Sequence, residues 1–248
     1  MSAGFLRKKK RNSESDRAGA LRIGGFTGLS CTDYPGLLSA VVFCQGCPWR
    51  CSYCHNSHLL APRAVTPLAW HDVESFLERR RGLLDAVVFS GGEPTLQSAV
   101  ADAMRTAKQM RFRIGLHTAG IYPRRLQALL PFTDWVGMDI KAPFGAYADT
   151  TGGRNSGRSA FESMQLILAS GVEHEFRTTV HPALLPPQAL TELAQLLAKL
   201  GVRNYVLQEF RAQGCAATAP AGVRSYLTDS YCRLLAPMFR SFSVRRAQ

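Results

Sequence analysis

Six short strand-like segments, each followed by a stretch with helical spacing, recur along the chain, and no other feature constrains the fold as tightly. They are SAVVFC (39–44), DAVVFS (85–90), FRIGLH (112–117), DWVGMDI (134–140), EHEFRTTV (173–180) and VRNYVLQEF (202–210). The first two, SAVVFC and DAVVFS, are apolar almost throughout and read as strands buried on both faces. Thr66 and Pro67 read as the N-cap and first position of a helix carrying Trp70, Val73 and Leu77, stopped at Gly82. Further helices are expected over 97–109, from Pro123 through Leu130, over 158–170, and from Pro186 and Pro187 through Leu200. This alternation requires a parallel sheet with right-handed crossovers. Six units are too few for a closed eight-unit barrel, which leaves a partial (β/α)6 barrel or a doubly wound sheet. Either would place ligands at the carboxyl ends of the strands.

The remaining segments are less regular. Residues 1–20 are polar and basic and read as a disordered tail, with no apolar stretch that would make a secretory signal. Leu21 to Gly36 reads as an irregular lead-in or hairpin, 141–158 as a long Gly- and Thr-rich loop, and 223–239 as a last helix. The net charge of +12 invites a nucleic-acid reading. However, five of those charges lie in residues 1–22 and three in the last nine, so solvated tails are the simpler expectation and nucleic acid is not expected as a partner. No run of 18 apolar residues is present, so no membrane-spanning helix is expected.

Seven cysteines are present, and four of them, Cys44, Cys47, Cys51 and Cys54, fall within eleven residues. The odd count and tight grouping argue against a secreted disulfide framework and predict a cytoplasmic metal or cluster site. Cys47, Cys51 and Cys54 form C-x3-C-x2-C, three soft ligands on one loop. Cys44 ends the first strand and is expected to point into the sheet; zinc held by all four thiols is the alternative. The other unusual motifs also follow strands: SGGEP (90–94), HTAG (117–120), DIKAP (139–143) and QEFRAQG (208–214). Strand ends share one face of the sheet, so these motifs are expected to converge on one site.

C-x3-C-x2-C with Tyr53 before its last cysteine, followed by SGGEP after the next strand, resembles the radical S-adenosylmethionine superfamily. Residues 24–56, together with DIKAP, Tyr147 and Thr150-Thr151-Gly152, resemble the anaerobic ribonucleoside-triphosphate reductase activating proteins, a branch of the glycyl-radical-enzyme activases. The resemblance implies an α/β fold of the partial (β/α)6 type in residues 21–215, with 216–248 as a partly helical extension. It implies that Cys47, Cys51 and Cys54 ligate a [4Fe-4S] cluster whose open iron chelates S-adenosylmethionine. Tyr53 would lie near the adenine. Gly91, Gly92, Glu93 and Pro94 would meet the methionine ammonium, with the glycines letting backbone approach the ligand. His117 and Thr118 to Gly120 would line the ribose. Lys141, with Asp139 beside it, would meet the ligand carboxylate, and Arg211 would stand near the ligand.

The activity so implied is reductive cleavage of S-adenosylmethionine, yielding a radical that takes an α-hydrogen from a glycine of a partner enzyme. The implied partners are that enzyme, with the reductase as first choice, and a low-potential donor such as flavodoxin or ferredoxin. Alternatives are an activase of another glycyl radical enzyme such as pyruvate formate-lyase, a small-molecule enzyme of the 7-carboxy-7-deazaguanine synthase type, and a zinc-dependent nucleic-acid-binding module. His55, His58, His71, His174 and His181 form no catalytic pattern and read as structural or exposed. Thr178 and Thr179 read as strand fillers.

Overall fold

A computed structural model describes residues 17–65, 68–215 and 224–247. Among the described residues one sheet of eight strands organises the fold, in the spatial order β1 to β8. β1 (Ile23–Ser30) runs antiparallel to β2 (Ser39–Cys44). From β2 onward every neighbour is parallel: β3 (Ala86–Gly91), β4 (Arg113–Thr118), β5 (Trp135–Asp139), β6 (Glu173–Val180), β7 (Asn204–Glu209) and β8 (Ser241–Arg245). Helices α1 (Trp70–Glu78), α2 (Val100–Gln109) and α3 (Pro123–Leu129) follow β2, β3 and β4. After β5 come α4 (Tyr147–Thr151) and α5 (Ser156–Ser170), after β6 comes α6 (Pro187–Lys199), and after β7 comes α7 (Asp229–Leu235). The six strands β2–β7 with their helices make the partial (β/α)6 barrel expected from the alternation.

Strand side chains alternate between two faces, and the two faces differ in chemistry. The outer face, with Val42, Cys44, Val87, Phe89, Leu116, Met138 and Phe176, packs under the helices in the main core. The inner face starts apolar: Val41, Ala86, Val88 and Trp135 close around Tyr34, which enters from the β1–β2 connection. Gly115 makes room for this plug, since a side-chain carbon there would stand 3.1 Å from the Tyr34 ring. Toward the carboxyl ends the inner face turns polar, with Ser90, His117, Asp139, Arg177, Thr179 and Gln208.

Several local readings change. Residues 23–30 are a full strand, because Ile23 packs in the core and its neighbours pair along β2. Segment 141–158 is mostly helical. Its Gly and Thr content hides the buried Tyr147, Thr150 and Thr151 that anchor α4, and Gly157 admits the Phe144 carbonyl at the start of α5. Thr66 and Pro67 lie outside the described residues; α1 begins at Trp70, where the Ala69 N–H donates to Asp72 Oδ2 at 3.1 Å. Helix α2 begins at Val100 rather than at 97, after a short 3-10 turn over Pro94–Leu96. The expected last helix shortens to Asp229–Leu235, and the alternating Ser241–Arg245 adds β8 to the same sheet. Ala18 is fully buried in the core, so the packed chain reaches back past residue 21.

Candidate active site

The loop leaving β2 is fixed by backbone hydrogen bonds before any cysteine side chain is considered. Gly46 N donates to Leu59 O at 2.7 Å, and Cys47 N donates to Leu60 O at 3.2 Å. On its other side, Arg50 N donates to Thr151 O at 2.8 Å and Ser52 N to Thr150 O at 3.3 Å. The exit from β7 closes over the same loop. His55 Nε2 lies 2.8 Å from Arg211 O, and Cys215 Sγ lies 3.6 Å from Tyr53 O. A side-chain carbon at Gly214 would stand 2.5 Å from His55 O. Cys215, which has no role in the sequence motifs, lies on this exit segment.

Cys47, Cys51 and Cys54 line one cavity of about 820 Å³ at the carboxyl ends of the strands. Cys44 does not: it is fully buried on the opposite face of β2, so a site built from all four thiols is excluded. Burial, and next the Glu93 carboxylate, pushes the Cys47 thiol up to about 12, and burial also raises Cys51. As bare thiols these two groups stay protonated at neutral pH, whereas a soft cationic iron site compensates the buried thiolate. Three thiols sharing one wall of a cavity large enough for a further ligand fit a [4Fe-4S] cluster with one open iron.

Tyr53 is buried beside the cysteines, and the Lys141 ammonium lies 5.8 Å over its ring centroid. Lys141 Nζ donates to Asp139 Oδ2 at 3.3 Å, while Arg177 Nε donates to Asp139 Oδ1 at 2.9 Å. Burial alone would raise the Asp139 carboxyl, but Arg177 and Lys141 outweigh it and hold the group below the usual carboxylate range. Burial opposes the Lys141 charge, yet Asp139 keeps it protonated.

The SGGEP motif divides between the cavity wall and the core behind it. Glu93 is fully buried outside the cavity lining, with Pro94 buried next to it. Its carboxylate accepts four hydrogen bonds: from Thr95 N (3.1 Å), Thr95 Oγ1 (2.6 Å), Thr118 Oγ1 (2.8 Å) and Ala119 N (2.9 Å). It ties the end of β3 to the end of β4. Gly91 and Gly92 do line the cavity. His117 lines the cavity with its ring nitrogens already engaged: Nε2–H donates to Asp33 O at 2.9 Å, and Nδ1 lies 3.3 Å from Ser90 Oγ. Burial, reinforced by Arg177, lowers its pKa to about 3, so the ring is neutral. Thr118 and Ala119 line the wall, and Arg211 stands exposed at the rim. Thr178 is a core residue whose hydroxyl donates to Ile140 O at 2.8 Å, whereas Thr179 faces the cavity.

Arg177, Asp33, Trp49 and Arg245 also line the cavity and were not singled out by sequence, while Gln208 brings the start of the QEFRAQG motif to it. Arg177 did carry a signal: a lone guanidinium inside a buried strand, two residues from Glu175 and so on the same face.

The radical SAM superfamily model matches residues 41–206. A Methanocaldococcus jannaschii protein named as a glycyl-radical enzyme activating enzyme is 31% identical over 197 residues, covering 76% of this chain and 79% of that relative. The pyruvate formate-lyase-activating enzyme of Clostridium pasteurianum is 34% identical over 125 residues, 48% of this chain and 52% of that enzyme. Among solved structures, Streptococcus suis SuiB bound to S-adenosylmethionine superposes with a TM-score of 0.62 at 10% identity, over 82% of this chain and 48% of that one. The chain thus spans about half the length of the pyruvate formate-lyase-activating relative and of SuiB.

Proposed function

The chain belongs to the radical S-adenosylmethionine superfamily, and on that premise we propose that it installs a glycyl radical on a partner enzyme, with anaerobic ribonucleoside-triphosphate reductase as the client. The observation that carries this reading is the meeting of three thiols, the Asp139–Lys141 ion pair and Tyr53 on one cavity. Cys47, Cys51 and Cys54 hold the [4Fe-4S] cluster. With S-adenosylmethionine bound, the cluster supplies reductive cleavage of a sulfonium and hence the power to abstract an unactivated hydrogen.

This chain's residues position and exclude. Lys141, kept cationic by Asp139, meets the ligand carboxylate. Tyr53 and Trp49, both nearly fully buried, close the cysteine side against water. Gly91, Gly92, Thr118 and Ala119 offer a close backbone wall at the ends of β3 and β4. Glu93 supports that wall from behind. Arg211 stands at the rim, beside the opening that a glycine-bearing loop of the client would use.

The reductase is chosen on the likeness of residues 24–56 and 139–152. The 34% identity to a pyruvate formate-lyase-activating enzyme favours a second client of the same class. Flavodoxin or ferredoxin serves as the electron donor in this reading, and the cytoplasm as the compartment. Among the described residues no helix is long and apolar enough to cross a membrane. Anaerobic mixing of reduced protein and S-adenosylmethionine with each candidate client, followed by electron paramagnetic resonance, decides between them. A glycyl doublet on the reductase alone is expected. A doublet only on pyruvate formate-lyase moves the client; turnover of a small molecule with no doublet overturns the reading.

A further inference from the structure

We propose that Arg177 is a positioning residue for cofactor binding: by occupying one oxygen of Asp139, it leaves Lys141 held by the other and turned to a ligand carboxylate. The proposal rests on the assignment of Lys141 to that carboxylate. Asp139 and Arg177 are register partners across β5 and β6, which sets their side chains next to each other on the inner face. The guanidinium is fixed at more than one point. Nε donates to Asp139 Oδ1 at 2.9 Å and Nη2 to Gly137 O at 3.3 Å. Its bed is cut to shape, because a side-chain carbon at Gly137 would stand 2.9 Å from Arg177 Nη1. Only 8% of the Arg177 side chain is exposed, so it is a built part of the cavity wall.

The geometry divides one carboxylate between two cations. Lys141 reaches only Oδ2, at 3.3 Å, with its ammonium 5.8 Å over the Tyr53 ring centroid. A planar guanidinium is suited to a fixed place, and a flexible ammonium to a ligand that arrives and leaves. Without Arg177, both oxygens of Asp139 turn to Lys141. The ammonium is then drawn from the cavity into a closed ion pair, and the arriving carboxylate loses its partner.

The test is a double-mutant cycle on the full chain with its cluster reconstituted anaerobically, reading S-adenosylmethionine affinity by calorimetry. Iron content and melting temperature are recorded for each variant. Arg177→Gln is expected to weaken binding about tenfold with iron content unchanged. Arg177→Lys, which keeps the charge but lacks the fork, is expected to recover part of that loss. In an Asp139→Asn background, Arg177→Gln is expected to cost less than about twofold, because the carboxylate through which Arg177 acts is gone. Equal losses in the two backgrounds would overturn the proposal and make Arg177 a direct ligand or a general prop of the fold. Lys141→Ala separates the underlying reading. Unchanged affinity there would overturn the Lys141 assignment and this proposal with it, whereas a loss there with additive Arg177 and Asp139 effects would overturn this proposal alone.

Discussion

Gly91 and Cys44 are register partners at the carboxyl ends of β3 and β2, and a side-chain carbon on Gly91 would stand 2.5 Å from the Cys44 carbonyl oxygen. Gly91 also has φ +114°, a conformation that side chains rarely adopt. Gly92 is bound by the same constraint: a carbon there would stand 2.7 Å from the Gly46 carbonyl carbon. Besides lining the cavity, the two glycines let the chain's own cysteine loop lie down on the end of β3. Gly91→Ala or Gly92→Ala is therefore expected to displace that loop and lose most of the bound iron, with destabilisation of about 2–3 kcal/mol. Iron analysis and urea unfolding of anaerobically reconstituted variants check this.

The cysteines should separate into two classes. Cys47→Ala, Cys51→Ala and Cys54→Ala are each expected to abolish cluster assembly, since their thiols face the cavity. Cys44→Ala is expected to keep the [4Fe-4S] absorbance, at a packing cost of about 1 kcal/mol, because its thiol is buried in the core on the other face. A Cys44→Ala protein with no cluster spectrum would contradict the assignment.

Glu93 and Lys141 should fail in different ways. Glu93→Ala leaves the Thr95 and Ala119 amides and two hydroxyls without their buried acceptor. It is expected to lower stability by about 3 kcal/mol and to weaken S-adenosylmethionine binding only through the shifted Thr118–Ala119 wall. Lys141→Ala is expected to leave stability nearly unchanged while reducing affinity directly. Paired calorimetry and thermal melts distinguish the two patterns.

His117 gives a pH dependence of known sign. Its pKa is about 3 in the folded chain against 6.5 as the ordinary value, so the unfolded state binds the extra proton first. Stability conferred by the neutral ring is present above pH 6.5 and falls as pH drops from there toward 3. At pH 5 the loss amounts to about 2 kcal/mol, and His117→Gln is expected to remove that part of the slope. Urea midpoints of both proteins at several pH values read it directly.

The barrel was legible because strand-like segments alternate six times with helical spacing, and right-handed crossovers leave little choice of topology. The strands at the two edges were not. β1 carries three glycines in eight residues, and β8 is a short alternating segment behind a helix. The three cavity-facing cysteines were legible from spacing alone, and Cys44 from its place at a strand end. The roles of Glu93 and His117 were not, because both depend on neighbours 25 to 84 residues away in sequence: Thr118 for the first, Asp33 for the second. Arg177 was hidden for a related reason: its partner Asp139 stands 38 residues earlier, and only the β5–β6 register brings them together.

In the proposed reaction a glycine of a protein partner, rather than a free metabolite, gives up the hydrogen. The most direct measurement is isotope transfer from a client enzyme grown with α-deuterated glycine, incubated anaerobically with the reduced protein and unlabelled S-adenosylmethionine. Mass spectrometry of the released 5′-deoxyadenosine reads the origin of its new hydrogen. One deuterium in the nucleoside is expected, matched by a glycyl radical on the client and absent with Cys51→Ala. Nucleoside released at the same rate but carrying no deuterium would contradict it.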